Sequence, residues 1–435
     1  MARVIPFRGI RFDPRVVGDI SQVVTPPYDR IYPENQARYY AASPYNIVRI
    51  VKGRAEPGDE AGDVYRRAAE HLATWLAEGA LVRDAEPSLY AYHQAYEFSG
   101  ERHVRKGFIA LGALEPERVH AHERTLRGPK EDRLRLTRAT EANFGHIFML
   151  YSDPARRADR ALAAAIADRA PTIDTTDDLG NGHLVWQLTD PAVIAEVQSA
   201  LADKDLYIAD GHHRYETAVN FMNECRAAGF RPAAPESFDA RMMTLFNIDE
   251  PGMTIRPIHR LLHGIEGFRL DALLAAAADE FAVEEAADLA TTERSLAAAA
   301  DGHAFGVYAD GRFAVLRLRE DRRPEELIDS PHSVDWKRLD VSILHGAILE
   351  RLLGIDATAL EEQRNLTYTV DAEAGVSAVD RGDEQALLLL NPTRPEQVRR
   401  VADHGERMPQ KSTDFYPKLL TGLVLSKMEI HRPKR

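Results

Sequence analysis

The sequence predicts an α+β fold in two domains. Three observations carry this: short apolar runs broken by Gly and Pro, helical stripes of apolar residues between them, and a change of texture near residue 260. At ~150 residues per domain, 435 residues make two or three. The expected division is 1–258 and 259–435, with no fixed-period repeat and no low-complexity tract.

In chain order, VIPFRGIRF (Val4–Phe12) reads as a strand with a bend. QVVTPPYDRI reads as a strand stopped at Pro26-Pro27, because a double proline fixes φ twice and removes two ladder donors. NIVRIV (Asn46–Val51) reads as a further strand. Val64, Ala68, Leu72, Trp75 and Leu76 form one stripe of a helix that Gly79 ends. SLYAYHQAYEF and VRKGFIALGAL read as paired strands joined through Ser99-Gly100-Glu101. A densely charged stretch with helical spacing in its second half follows, then the buried strand FGHIFMLYSD. Further on come a helix over Ala155–Arg169, the strand GHLVWQLTD and a helix over Pro191–Asp203.

DLYIAD then runs as a strand straight into a helix bearing Tyr215, Ala218, Val219, Met222 and Cys225 on one face. After the strand RMMTLFNI, the C-terminal half offers the hairpin HAFGVYADGRFAVLRL and the amphipathic helix VSILHGAILERLLGI. It closes with the strand ALLLL, the helix PEQVRRVADHG and an irregular tail.

Composition narrows the function classes. There are 55 Lys plus Arg against 68 Asp plus Glu, a formal charge of −13, and such a surface repels phosphate backbones and anionic lipid. No nucleic-acid or membrane partner is expected. A single cysteine, Cys225, excludes an internal disulfide and an all-cysteine zinc site. No apolar run approaches the ~20 residues of a membrane span, and the first residues lack the apolar stretch of a secretory signal. The expectation is a soluble cytoplasmic protein.

The strongest local signal is YIADGHHRY (Tyr207–Tyr215). A strand ends, Asp210 and Gly211 turn, and a helix begins, so free backbone N–H groups and the positive end of the helix dipole converge where an anion binds well. Gly211 admits close approach, and His212, His213 and Arg214 add donors. Asp210 can cap the helix, hold a magnesium ion or orient a hydroxyl. HAHERT places His120 and His122 on one side of an extended segment, with Glu123 next in sequence. The cations around it, Arg124, Arg127, Lys130 and Arg133, favour anion contact over a transition metal, and no metal-ligand set is assigned. Lys411, Ser412 and Thr413 offer one point charge and two hydroxyls without a Walker loop around them. Cys225, on the apolar helix face, reads as core.

DGHHRYETA resembles the signature of the ParB/sulfiredoxin superfamily, whose members place a Gly-x-x-Arg turn around a phosphate at a helix start. Four segments, VVTPPYD (Val23–Asp29), HAHERT (His120–Thr125), ADGHHRYETA (Ala209–Ala218) and MPQKSTDFYPKL (Met408–Leu419), resemble a bacterial and archaeal family long catalogued as a domain of unknown function. Its relatives include free-serine kinases.

The resemblance implies a ParB/sulfiredoxin-like mixed-sheet core over 1–258 and a second α+β domain whose tail, 408–419, walls the site. It implies transfer of a phosphoryl group to the hydroxyl of free L-serine from pyrophosphate or a nucleotide, with Mg²⁺. Asp29 and Asp210 would be catalytic. Gly211, His212, His213, Arg214, Lys411, Ser412 and Thr413 would bind phosphate, and His122, Glu123 and Arg133 would bind substrate. Where those kinases use a glutamate this chain has Asp29, so Glu34 is an alternative base. A non-catalytic nucleotide- or phosphate-binding regulator is the alternative reading. The histidines at 212 and 213 stand where sulfiredoxins place a cysteine.

Overall fold

The computed structural model describes residues 3–60, 62–115, 119–120, 127–299, 302–362 and 364–433. It is α+β and divides into two units: Met1–Met253 with Pro417–Arg435, and Thr254–Tyr416.

The first unit is built on a mixed sheet of nine described strands. They are β1 (Val4–Ile5), β2 (Leu89–Phe98), β3 (Glu101–Ala113), β4 (Val119–His120), β5 (Ile147–Tyr151), β6 (Ile173–Thr176), β7 (Gly182–Leu188), β8 (Leu206–Asp210) and β9 (Ala240–Asn247). Their order is β4-β8-β5-β9-β3-β2-β7-β6, with β1 alongside β3. The β4/β8 and β5/β9 pairs are parallel and the others antiparallel. The long β2–β3 hairpin turns where expected, with Ser99 and Gly100 both at positive φ (52° and 77°), the backbone twist that tight hairpins prefer.

The helices of this unit include α1 (Asp63–Ala77), α2 (Arg127–Thr140), α3 (Arg157–Ile166), α4 (Pro191–Leu201) and α5 (His212–Ala227). Tyr215, Ala218, Met222 and Cys225 of α5 are buried in one core with Ile147, Met149, Met243 and Leu245 of β5 and β9. Burying side chains of this size contributes ~1.5–3 kcal/mol each. A separate core joins Val48, Leu72, Trp75 and Leu136.

Two N-terminal expectations are corrected. Val48–Val51 is a helical turn rather than a strand. Asn46 Oδ1 accepts from the Val48 N–H at 2.9 Å, and Val48, Ile50 and Val51 all point into core, so a short apolar run that fits either period is decided by its cap and its packing. The segment before the double proline is a 3₁₀ turn at Ile20–Gln22, with only a bridge from Thr25 to Thr421.

The second unit carries an antiparallel sheet of β10 (His259–Leu262), β11 (Phe281–Ala286), β12 (Ala304–Ala309), β13 (Arg312–Leu318), β14 (Leu366–Thr369) and β15 (Ala386–Leu390), in the order β11-β13-β12-β15-β10-β14. The β12–β13 hairpin turns at Asp310-Gly311 as read from the sequence.

The division differs from the sequence reading in two respects: the boundary falls at 253/254 and not at 258/259, and Pro417–Arg435 returns to the first unit. The reason for that return is backbone pairing. Thr421 exchanges hydrogen bonds with Thr25 (3.1 and 2.8 Å), Leu425 with Ile10 (both 2.8 Å), and Ser426–Lys427 pairs with Ala142–Asn143. No helix among the described residues is long and apolar enough to cross a membrane.

Candidate functional site

The site grows from the end of β8. A register shift between Ile208 and Asp210 interrupts the pairing with β5, and Gly211 follows at φ 98°, a left-handed backbone that suits glycine. Helix α5 starts on the next residue. A Cβ at position 211 would stand 3.0 Å from Arg214 Nε, so glycine here serves both the turn and the seat of the arginine.

Arg214 folds back over this turn. Its Nη2 donates to Asp210 Oδ2 at 2.5 Å and its Nη1 to the His146 carbonyl. Lys418 Nζ donates to the other oxygen, Oδ1, at 3.0 Å. Burial alone would push the Asp210 carboxyl up, but Lys418 and Arg214 outweigh it and hold the group well below the usual carboxylate range. The result is a carboxylate clamped on both oxygens, with 21% of its side chain exposed, beside the N–H groups of a helix start.

The clamp is held from behind. Arg105 on β3 is buried between the Phe148 and Phe246 rings, its Cζ 4.6 and 4.8 Å from their centroids. Its Nη2 donates to the Pro417 carbonyl at 2.5 Å, and Gln94 Nε2 donates to the Lys418 carbonyl at 3.1 Å. These two bonds fix the backbone that presents Lys418. His146 Nε2 donates to the Val424 carbonyl at 3.1 Å, so its Nδ1 accepts from the Thr244 hydroxyl at 2.6 Å. Burial lowers this histidine to about 4 and keeps it neutral beneath Arg214.

The remaining sequence-predicted residues fall in several places. His212 is buried and His213 half-buried on the first turn of α5. Arg133, on α2, is nearly buried, with its Cζ 4.2 Å from the centroid of the Tyr28 ring and its Nη1 donating to the Val51 carbonyl at 2.8 Å. Pro27, Tyr28, Arg133 and Arg214 line one cavity, so the proline turn and the helix start do meet. Asp29, one residue on, is exposed, as is Glu34 in the first turn of the next helix. His122 and Glu123 lie outside the described residues.

Lys411, Ser412 and Thr413 belong to the second unit. There Ser412 Oγ donates to the Pro409 carbonyl at 2.5 Å, Thr393 Oγ1 donates to the Ser412 carbonyl at 2.7 Å, and Arg260 Nη2 donates to the Lys411 carbonyl at 3.0 Å. Cys225 is buried, and its thiol is raised to about 11 by burial, with help from Glu141 and Glu224, which makes it a core residue.

Sequence reasoning passed over Lys418, although it stands inside the quoted segment MPQKSTDFYPKL, and Arg241, a lone cation opening the apolar run RMMTLFNI. Both signals were visible. Only the fold says which lysine of the tail reaches Asp210.

Mg²⁺ is typically held by one or two carboxylates plus substrate phosphates. With both Asp210 oxygens engaged, the exposed Asp29 is the carboxylate of this set open to a hydrated ion, and no group of three acidic, His or Cys side chains is preassembled among the described residues.

Residues 4–342 match a family described as "Protein of unknown function (DUF1015)". The chain is a DUF1015 protein. No curated protein matches it. Among solved structures, this DUF1015 chain is similar to a free serine kinase in complex with AMP, at 11% identity and a TM-score of 0.36, covering 72% of this chain and 92% of that one. It is similar to a conserved hypothetical protein from Pyrococcus furiosus, at 12% identity and a TM-score of 0.34, with 72% and 95% covered. A third is C-terminally truncated SbnI from Staphylococcus aureus, at 10% identity and a TM-score of 0.35, with 72% and 85% covered. What the DUF1015 site does has to be reasoned from its own side chains.

Proposed function

We propose that the protein is a phosphotransferase that moves a phosphoryl group onto the hydroxyl of a small molecule, with free L-serine as acceptor and pyrophosphate or a nucleotide as donor. One observation carries this: a glycine-led helix start whose carboxylate, Asp210, is clamped by Lys418 and Arg214, so that donors and positive charge converge on a fixed point. Phosphoryl transfer depends mainly on such positioning and charge neutralisation. The ParB/sulfiredoxin-like character of the sheet belongs to the same proposal.

In this reading the N–H groups at the start of α5 and the His212, His213 and Arg214 side chains receive the donor phosphate. Arg133 contacts the acceptor, and His122 and Glu123 are assigned to the acceptor on their residue types alone. Lys411, Ser412 and Thr413 are assigned to phosphate binding on their residue types alone. Asp29 takes the proton of the acceptor hydroxyl as its oxygen bonds to the terminal phosphorus. The bridging P–O bond of the donor breaks, and phosphate or the shortened nucleotide leaves with the electron pair. Mg²⁺, when bound with the donor, supplies further charge neutralisation.

The test is incubation of the purified full chain with L-serine and Mg²⁺ and, separately, pyrophosphate, ADP or ATP, with O-phosphoserine read by mass spectrometry. Product from at least one donor is expected, and Asp29→Asn lowers its rate by about 10²–10⁴-fold. No product from any donor overturns the L-serine reading.

A second reading, a non-catalytic nucleotide- or phosphate-binding regulator, is favoured by the full engagement of Asp210, which leaves that carboxylate no oxygen for acid–base work. It expects nucleotide or pyrophosphate binding without turnover, and affinity unchanged in Asp29→Ala.

A further inference from the structure

Behind the Asp210 turn lies a small cavity whose wall is made of three guanidinium groups, those of Arg133, Arg214 and Arg241. They come from three separate elements: α2, the first turn of α5, and the start of β9. Arg133 is offset by Asp132, and Arg214 by Asp210. Arg241 is not offset. It is 93% buried, and its Nη1 donates to the neutral Asn143 Oδ1. Among the described residues its Nε has no hydrogen-bond partner and no carboxylate pairs with it.

A second lining group is also unmet. Thr217 Oγ1, one turn further along α5, is 97% buried and has no hydrogen-bond partner among the described residues. Native proteins rarely leave a buried donor or a buried charge uncompensated, because each forfeits its hydration for nothing. Both residues line the cavity, one a cation and the other a hydroxyl donor, and their complement is a small negative acceptor.

Size and shape agree. The free volume is about 40 Å³. One water-sized atom needs roughly 10–15 Å³ on that measure, so about three fit, the head of a carboxylate or a phosphoryl group. Gly145 keeps the space open: a Cβ there would touch Thr421 Oγ1 at 3.4 Å and Arg214 Nη1 at 3.5 Å. Burial, followed by the like charges of Arg214 and Arg133, presses the Arg241 guanidinium downward. A guanidinium does not give up its proton in proteins, so a counter-anion would relieve the crowding.

We infer that the cavity between Arg133, Arg214 and Arg241 is a binding site for a small oxyanion, held by Arg241 Nε and Thr217 Oγ1 and by the edges of the other two guanidiniums. This is the cavity that Pro27 and Tyr28 share with Arg133 and Arg214, so the inference rests on the phosphotransferase reading of that site, while its test reads binding alone.

The test is thermal unfolding and titration calorimetry of the full chain with inorganic phosphate in one arm and acetate in the other, against sodium chloride at matched ionic strength. Saturable binding with a rise in the unfolding temperature is expected in at least one arm. Phosphate points to a phosphoryl source and acetate to a carboxylate source. Arg241→Gln and, in case that variant folds poorly, Thr217→Val weaken the binding about tenfold or more, and Gly145→Ala weakens it by filling the space. No binding above chloride in either arm overturns the site, as does unchanged affinity in Thr217→Val and Gly145→Ala. Because the readout is affinity, failure here is distinct from failure to form O-phosphoserine.

Discussion

Arg105 and Arg241 are both buried arginines on neighbouring strands of the same sheet, and they differ in almost everything else. Arg105 lies between two aromatic rings and spends its donors on Gln94 and on the Pro417 carbonyl. Among the described residues Arg241 has one hydrogen bond to a neutral side chain, an idle Nε, and two like charges as neighbours. The first is a structural cation whose surroundings are complete, and its work is to seat the backbone that presents Lys418. The second is incomplete in the protein alone. Burial by itself therefore says little about an arginine's role; what separates a brace from a binding group is whether its donors are already met.

The widest separation is expected in chemical denaturation. Arg105→Met leaves Gln94 Oε1 and the Pro417 carbonyl buried without their donor and costs about 3–5 kcal/mol. Arg241→Met removes a charge that nothing offsets and changes the anion-free protein by no more than about 1 kcal/mol in either direction. Equal losses would break the contrast.

A smaller effect sharpens it. His146, neutral under Arg214, falls from the ordinary histidine range to about 4 in the folded state. Its folded value is depressed, so the stability it supports is complete above about pH 6.5 and drains as pH falls toward 4. Urea unfolding followed over that window shows a slope amounting to about 2–3 kcal/mol, which His146→Gln flattens. Asp210 acts lower. Its carboxyl is held below the unfolded value of about 3.9, so the Lys418 contact counts fully above that pH and is lost as pH drops through the folded value. Lys418→Met accordingly costs about 1–3 kcal/mol at pH 7, and the difference from the unaltered chain narrows below pH 4.

Gly211→Ala, strained by its φ of 98° and by contact with the Arg214 guanidinium, costs about 1–2 kcal/mol by the same measurement. The smallest expected effect is at Asp29, which is exposed: Asp29→Asn shifts stability by less than about 0.5 kcal/mol, so any loss of turnover in that variant is chemical rather than structural.

Much of the scaffold was legible. The hairpins at Ser99-Gly100 and Asp310-Gly311, the stripe of α1 and the strand-to-helix junction at Asp210-Gly211 each follow from neighbouring residues acting within a few positions of one another. Asn46–Val51 misled, since so short a largely apolar segment satisfies a strand and a helix equally until its cap and packing partners are known. At the site, the turn bearing Arg214 could be picked from the sequence, as could Arg133, but not the company they keep.

What the sequence determined by itself was local: where the chain turns, which faces are apolar, and that a glycine-led helix start carries three donor side chains. What the tertiary structure decided was which distant charges share a dielectric environment. Lys418 meets Asp210 across 208 positions, and Arg133, Arg214 and Arg241 converge from two helices and a strand. Local propensity acts through a few bonds. Coulombic demand and desolvation act through space, and only the packed sheet sets those distances.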